Sequence, residues 1–196
     1  MIIISKMYIT LMPVIFAGVL NMVWCKLSVL NVLRKPIDGA RCLSDGRRIF
    51  GDNKTWKGFF GMVMLGVTCS LLWGFLCDTS GYLLAHNFIY ENYDNTPLYN
   101  LVIGALLGLA YAVFELPNSF IKRRFSITPG KTSKGFFKAL FIFFDQADSI
   151  FGCVLVICLV YPMPLWMYFL YVFVGAITHV VINVLLYFSR LRKNMF

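Results

Sequence analysis

The sequence predicts an all-α, polytopic membrane protein with about five transmembrane helices, the amino terminus outside and the carboxyl terminus in the cytoplasm. Three observations lead there. The 196 residues are 59% hydrophobic and only 14% charged, too few charges to clothe a soluble domain of this size. The mean hydropathy is +0.74. The apolar residues also gather into stretches of about 20, the length that crosses the hydrocarbon core. No linker, low-complexity tract or internal repeat divides the chain, so residues 1–196 read as one membrane-embedded domain.

Five stretches qualify: 8–30, 58–77, 98–117, 141–161 and 165–189. The first is too long for a cleavable signal sequence and lacks an A-x-A site, so it is expected to stay as a span. The third is expected to loosen at Pro117, and the fourth is irregular because Asp145 and Asp148 fall near its start. Only the turn "PMP" separates the last two.

Basic residues orient the bundle. The first long connection carries Arg34, Lys35, Arg41, Arg47, Arg48, Lys54 and Lys57. The third carries Lys122, Arg123, Arg124, Lys131, Lys134 and Lys138, and the tail adds Arg190, Arg192 and Lys193. The alternate connections carry neither Lys nor Arg. Sixteen of the 18 basic residues therefore lie on one face, which positive-inside bias assigns to the cytoplasm of a multi-pass cell-membrane protein. The net charge of +9 follows from this bias and from attraction to anionic headgroups of membrane lipid. Nucleic acid is not an expected partner, because no soluble basic module with interleaved aromatics is present. The six cysteines form no CxxC pair and read as small buried residues.

Topology does not require acids beside these bases, yet Asp38, Asp45, Asp52, Glu115, Asp145 and Asp148 fall on or near the same face. A carboxylate at membrane depth costs several kcal/mol (about 3 on insertion scales) unless paired or hydrated, so it marks a functional candidate. Asp145 and Asp148, in "FFDQADSIFG", share one helix face. They suit Mg²⁺, which takes one or two protein carboxylates and completes its shell with water and phosphate oxygens. They equally suit ion pairs with the basic loops. Glu115 ends the third span, with Lys122 and Arg123 about two turns beyond.

The stretch "DGRRIFGDNKTWKGFFG", residues 45–61, has the chemistry of a polyphosphate cradle. Gly46, Gly51 and Gly58 let backbone N–H groups approach anionic oxygens. Arg47, Arg48, Lys54 and Lys57 supply cationic donors. Trp56 suits either base stacking or anchoring at the interface. Two other matches fail. "GKTSKG" at Gly130 lacks the P-loop's first glycine, and "DGAR" at Asp38 lacks the spacing of the CDP-alcohol phosphotransferases. His86 falls in an outer loop. His179 and Asn183, one turn apart in the last span, read as an interhelical hydrogen-bonding pair rather than a metal site.

Together these pieces resemble the CDP-archaeol synthase family, relatives of the bacterial CDP-diacylglycerol synthases (phosphatidate cytidylyltransferases). "DGRRIFGDNKTWKGFFG" is similar to the family's first cytoplasmic motif, and "SFIKRR" and "DQADSIFG" to its second and third. The resemblance implies Mg²⁺-dependent transfer of a cytidylyl group from CTP to a lipid phosphate, with release of pyrophosphate. It places Asp45, Gly46, Arg47, Arg48, Gly51, Asp52, Lys54, Thr55, Lys57 and Glu115 around the substrates. Lys122 and Arg123 would hold phosphates, and Asp145 and Asp148 would hold the metal. The family often has Asp where Glu115 stands, and a shorter segment between "KRR" and the paired aspartates. The lipid phosphate could carry ether or ester chains, and a homodimer is left open. The competing class is a small ion or solute transporter with intramembrane carboxylates. Such a path should spread ionisable groups to the midplane and to both faces, whereas here they gather on one.

Overall fold

The computed structural model describes residues 2–128 and 138–190, apart from the side chain of Ala139; the "GKTSKG" stretch and the tail residues Arg192 and Lys193 lie outside the described residues. Six α-helices follow in order: α1 (Ile2–Lys26), α2 (Trp56–Asp78), the short α3 (Gly81–Ala85), α4 (Pro97–Arg124), α5 (Lys138–Val160) and α6 (Leu165–Phe188). Five of them are long and apolar enough to cross a membrane. Among the described residues there is no strand, only two isolated antiparallel bridges, Pro36 with Thr55 and Cys42 with Arg48.

Local chemistry sets the helix ends. Thr55 caps α2, its Oγ1 accepting from the Gly58 N–H at 3.2 Å, and Thr96 caps α4 through the Tyr99 N–H at 3.2 Å. Pro97 occupies the first helical turn of α4, where a missing N–H does no harm. The end of α1 is held by Arg34, whose Nη2 donates to the carbonyls of Cys25, Lys26 and Leu27 at 3.0–3.1 Å.

The first and third spans depart most from their expected bounds. The first span begins at Ile2 rather than residue 8 and ends at Lys26 rather than residue 30. Once Arg34 closes its last carbonyls, Leu30 turns away at a φ of +51°. The third span does not end at Pro117 but runs through it to Arg124. Spanning helices tolerate proline when neighbours re-satisfy the freed backbone, and Lys122, Arg123 and Arg124 suit the negative end of a helix dipole.

The helices pack in chain order, α1 on α2, α2 on α4, α4 on α5 and α5 on α6. Glycines bring the central pair together. A Cβ on Gly66 would lie 2.6 Å from the Gly104 carbonyl oxygen, and one on Gly108 would lie 2.6 Å from that of Met62. Such close backbone approach is how helices associate where lipid tails are as apolar as the side chains. The core is built from Met7, Leu11, Leu107, Val154, Ile157 and Tyr171, all nearly inaccessible. Tyr171 also ties α6 to α1 by donating its hydroxyl to the Met7 carbonyl at 2.8 Å. Large apolar side chains such as Phe16, Leu72, Phe75, Leu159 and Leu185 point outward, as a lipid-facing exterior requires.

Candidate active site

The connection between α1 and α2 folds around one buried acid. The Asp38 carboxylate accepts from Arg48 Nη2 at 2.7 Å and Nε at 3.2 Å. It also accepts from the backbone N–H groups of Phe50, Gly51 and Ala40 at 3.0–3.1 Å. Burial opposes its charge, but the Arg48 guanidinium and these three amides outweigh it and hold the pKa down at about 2. Arg48 reaches Asp52 as well, at 2.8 Å, and the two acids push its own pKa upward. Gly51 adopts a φ of +117° and Gly46 one of +72°, left-handed conformations that favour glycine. The Gly51 amide is committed to Asp38 and the Gly46 amide to the Leu43 carbonyl. The loop's shape is therefore set internally.

Arg124, at the last turn of α4, straps this loop to the bundle. Its guanidinium pairs with Asp45 and donates to the carbonyls of Arg47 at 3.2 Å and Arg48 at 2.5 Å, while Arg47 donates back to the Arg124 carbonyl. A hydrogen bond from the Arg47 backbone N–H, together with the Arg124 guanidinium, holds the Asp45 pKa below the ordinary carboxylate value.

Beneath the loop the charges converge. α5 presents Asp145 and Asp148 towards α4. The Asn118 carboxamide nitrogen donates to Asp145 Oδ1 at 2.7 Å and to Asp148 Oδ2 at 2.8 Å, so both carboxylates face one point. Lys122 Nζ sits on both oxygens of Asp145, at 2.9 and 2.7 Å. On the other side Lys54 pairs with Glu115. Burial works against the Lys54 charge, yet Glu115, Asp148 and Asp145 overcome it and raise the pKa. A cavity of about 120 Å³ opens beside this pair, lined in part by Asn21, Cys25, Asn53, Lys54, Thr55 and Glu115. Arg123 is buried, and its Nε has no hydrogen-bond partner among the described residues.

The structure thus brings together Lys54, Glu115, Lys122, Asp145 and Asp148, with Arg123 beside them in the last turn of α4. Others play different parts. Thr55 lines the cavity, while its Oγ1 caps α2. Lys57 is buried, with its Nζ 2.5 Å from the Leu27 carbonyl and 5.2 Å from the centre of the Trp24 ring, so it anchors α1 to α2. Gly58 lies in the first turn of α2. Asp45, Arg47, Arg48 and Asp52 form the scaffold and rim of the loop. Asn118 was not singled out from the sequence, Arg124 was expected only to help orient the bundle, although each stands inside the "PNSFIKRR" run, and Asp38 counted only as one acid among several. Nothing in the sequence pairs Asp38 with Arg48. Two carboxylates aimed at one point are a donor set that fits a hard divalent cation, and rotation of the Asn118 carboxamide would add a neutral oxygen.

Comparison with known proteins identifies the family and the fold. The family model "CarS-like: CDP-archaeol synthase" matches residues 2–196. The CDP-archaeol synthase of Methanoculleus marisnigri is 33% identical over 170 residues, 81% of this chain and 87% of that protein. The one from Archaeoglobus fulgidus is 32% identical over 164 residues, 81% of this chain and 82% of its own length. That of Pyrococcus furiosus is 39% identical over 100 residues, about half of either chain (51% and 52%). A solved structure of an intramembrane enzyme for archaeal membrane lipid biosynthesis shares the fold, with a TM-score of 0.60 at 22% identity over 90% of this chain and 92% of that one. With the family model spanning nearly every residue and the helices superposing on a known intramembrane enzyme, this chain belongs to the CDP-archaeol synthase family and is a multi-pass membrane enzyme of the cytidylyltransferase class.

Proposed function

We propose that the protein transfers the cytidylyl group of CTP to the phosphate of an archaeol-type ether lipid, with Mg²⁺ held by Asp145 and Asp148. The observation that carries this reading is the convergence of those two carboxylates on one point beside Lys122 and the Lys54–Glu115 pair. The ether-lipid acceptor rests on the relatives' shared name. A lipid-phosphate oxygen attacks the α-phosphorus of CTP, the bond from that phosphorus to the β-bridging oxygen breaks, and its electron pair leaves with pyrophosphate. Both reactants are polyanions, so the barrier is dominated by repulsion and alignment. Mg²⁺ at the paired aspartates would neutralise and polarise phosphate oxygens. Lys54 and Lys122 move from carboxylates to phosphates, and Arg123 adds a third cation from the same helix end. Asp38 and Arg48 keep the loop folded over the site.

The concentration of Lys and Arg at this end of the bundle supports a cytoplasmic active site. No ion path can run between α2 and α4, which meet backbone to backbone at Gly66, Gly104 and Gly108.

The test is synthesis of CDP-lipid by the purified protein from labelled CTP, with Mg²⁺ or EDTA, and with ether- and ester-linked lipid phosphates offered separately. The expected result is Mg²⁺-dependent product with the ether lipid and stoichiometric pyrophosphate. Equal use of the ester lipid would remove the ether specificity. Absence of product with either lipid would overturn the reading.

A further inference from the structure

Gln146 lies between the two aspartates in sequence but on the other side of α5. At about 100° per residue it is rotated about 130° from the mean direction of Asp145 and Asp148. The aspartates face α4, while Gln146 faces α6 and is only 2% exposed. Two α6 side chains grip it. Asn183 Nδ2 donates to Gln146 Oε1 at 2.5 Å, and His179 Nδ1 lies 3.0 Å from the Gln146 backbone carbonyl. A carbonyl only accepts, so this bond requires the imidazole tautomer with its proton on Nδ1. Asn183 itself is nearly inaccessible. The grip is therefore a buried polar contact flanked by an apolar cavity that Leu11, Val14, Ile150 and Leu186 help to line.

We propose that Gln146, gripped by Asn183 and His179, is the positioning residue that fixes the rotation of α5 and so aims Asp145 and Asp148 at one point; this rests on their reading as the metal pair. An apolar helix in lipid can rotate about its axis with little change in burial, because its neighbours are as apolar as the solvent. Rotation of α5 by one residue's worth would carry both carboxylates away from Asn118 and Lys122. It would also strand the Gln146 amide among apolar side chains, a penalty of the kind that holds buried polar pairs in register. α6 contains no Asp, Glu, Lys or Arg, and its part in the reaction is this grip.

The test compares Mn²⁺ binding, read by electron paramagnetic resonance on nucleotide-free protein in lipid nanodiscs, for wild type, Asp145→Asn and the double variant Gln146→Met/Asn183→Leu. Removing both polar partners with shape-matched apolar ones is nearly neutral for stability. A purely structural role therefore predicts unchanged Mn²⁺ affinity. The positioning role predicts a folded double variant whose Mn²⁺ affinity falls about tenfold or more, as for lost outer-shell support of metal ligands, and whose Mg²⁺ requirement rises in parallel. His179→Leu, which removes one bond and leaves the Gln146–Asn183 pair, keeps the question open to test if the double variant does not fold, with a smaller loss in the same direction. Wild-type affinity in the folded double variant, or in His179→Leu should only that one fold, overturns the inference while leaving the metal pair standing. Undiminished binding by Asp145→Asn overturns the metal pair and the inference with it.

Discussion

The two ends of the bundle are both polar, yet they are built from different chemistry. At the end away from the charged loop, Asn95 donates to the Gly74 carbonyl at 2.8 Å and to Asp78 at 2.7 Å. Asn100 donates to Asn95 at 2.6 Å, and the Tyr90 hydroxyl donates to Asn100 at 2.8 Å. A Cβ on Gly74 would sit 2.0 Å from the Asn100 amide nitrogen, so even the backbone is shaped around this cluster. Most of these groups are neutral, and each has one partner set. At the other end the groups are ionised. Every ion pair among the described residues except Lys6–Glu91 lies there. Around the central point stand Glu115, Asp145 and Asp148 against Lys54 and Lys122.

The difference separates structure from chemistry. A closed network of neutral amides and phenols is worth most when nothing moves. A cluster of opposite charges can exchange partners at small net change, since each ammonium that leaves a carboxylate for a phosphate keeps a charge-assisted bond. Proteins retain such clusters at membrane depth for function, because apolar packing would serve stability as well.

The largest expected effect comes from the charged end. Asp145→Asn keeps the side-chain shape and should lower CDP-lipid synthesis by about 100-fold or more, since even outer-shell losses at metal sites cost 10–100-fold. Its melting temperature should stay close to wild type, and extra Mg²⁺ should restore only part of the rate. A variant with normal synthesis and normal melting would strip Asp145 of the metal role and erase the contrast between the ends, whereas lower melting with activity that tracks the folded fraction would reduce it to an ion-pair partner of Lys122.

Lys54 gives the intermediate effect. Loss of its phosphate contact should weaken CTP binding by about 1.5–3 kcal/mol, roughly 10–100-fold, measured by equilibrium binding. Because Lys54→Met alone leaves Glu115 without its partner, Lys54→Met/Glu115→Gln separates the lost contact from an orphaned acid. Unchanged CTP affinity in the folded double variant would place Lys54 with the scaffold.

The smallest effect on activity belongs to the neutral end. Asn100→Leu should destabilise the bundle by about 1–3 kcal/mol, because Asn95 and Tyr90 lose a buried partner. The rate per folded molecule should not change. A fall in specific activity at unchanged melting temperature would show that the two ends are coupled.

Long apolar stretches are visible at the level of composition, so all five spans were legible, with errors confined to ends. Those errors have local causes that no hydropathy window contains. The Arg34 guanidinium closes α1 early, and the run after Pro117 continues as helix. The site was legible as a set of residue types. Asp145, Asp148, Lys122, Lys54 and Glu115 could each be singled out, because ionisable groups inside or beside spans are rare enough to stand out. Roles within the loop were not. Arg48 and Lys57 look as much like phosphate ligands as Lys54 does, yet one embraces Asp38 and the other lies under the end of α1.

By itself the sequence determined the membrane class, the number of spans, the gathering of charge on one face and the family. Each of these depends on quantities that add along the chain: apolar length, charge count and motif order. Only the tertiary structure decided which charges meet. That choice depends on helix rotation and on contacts between residues such as Asp38 and Arg48, Asn118 and Asp148, or Gln146 and Asn183. A rotation of 100° separates neighbours in sequence, and a hydrogen bond forms or fails within a few tenths of an ångström.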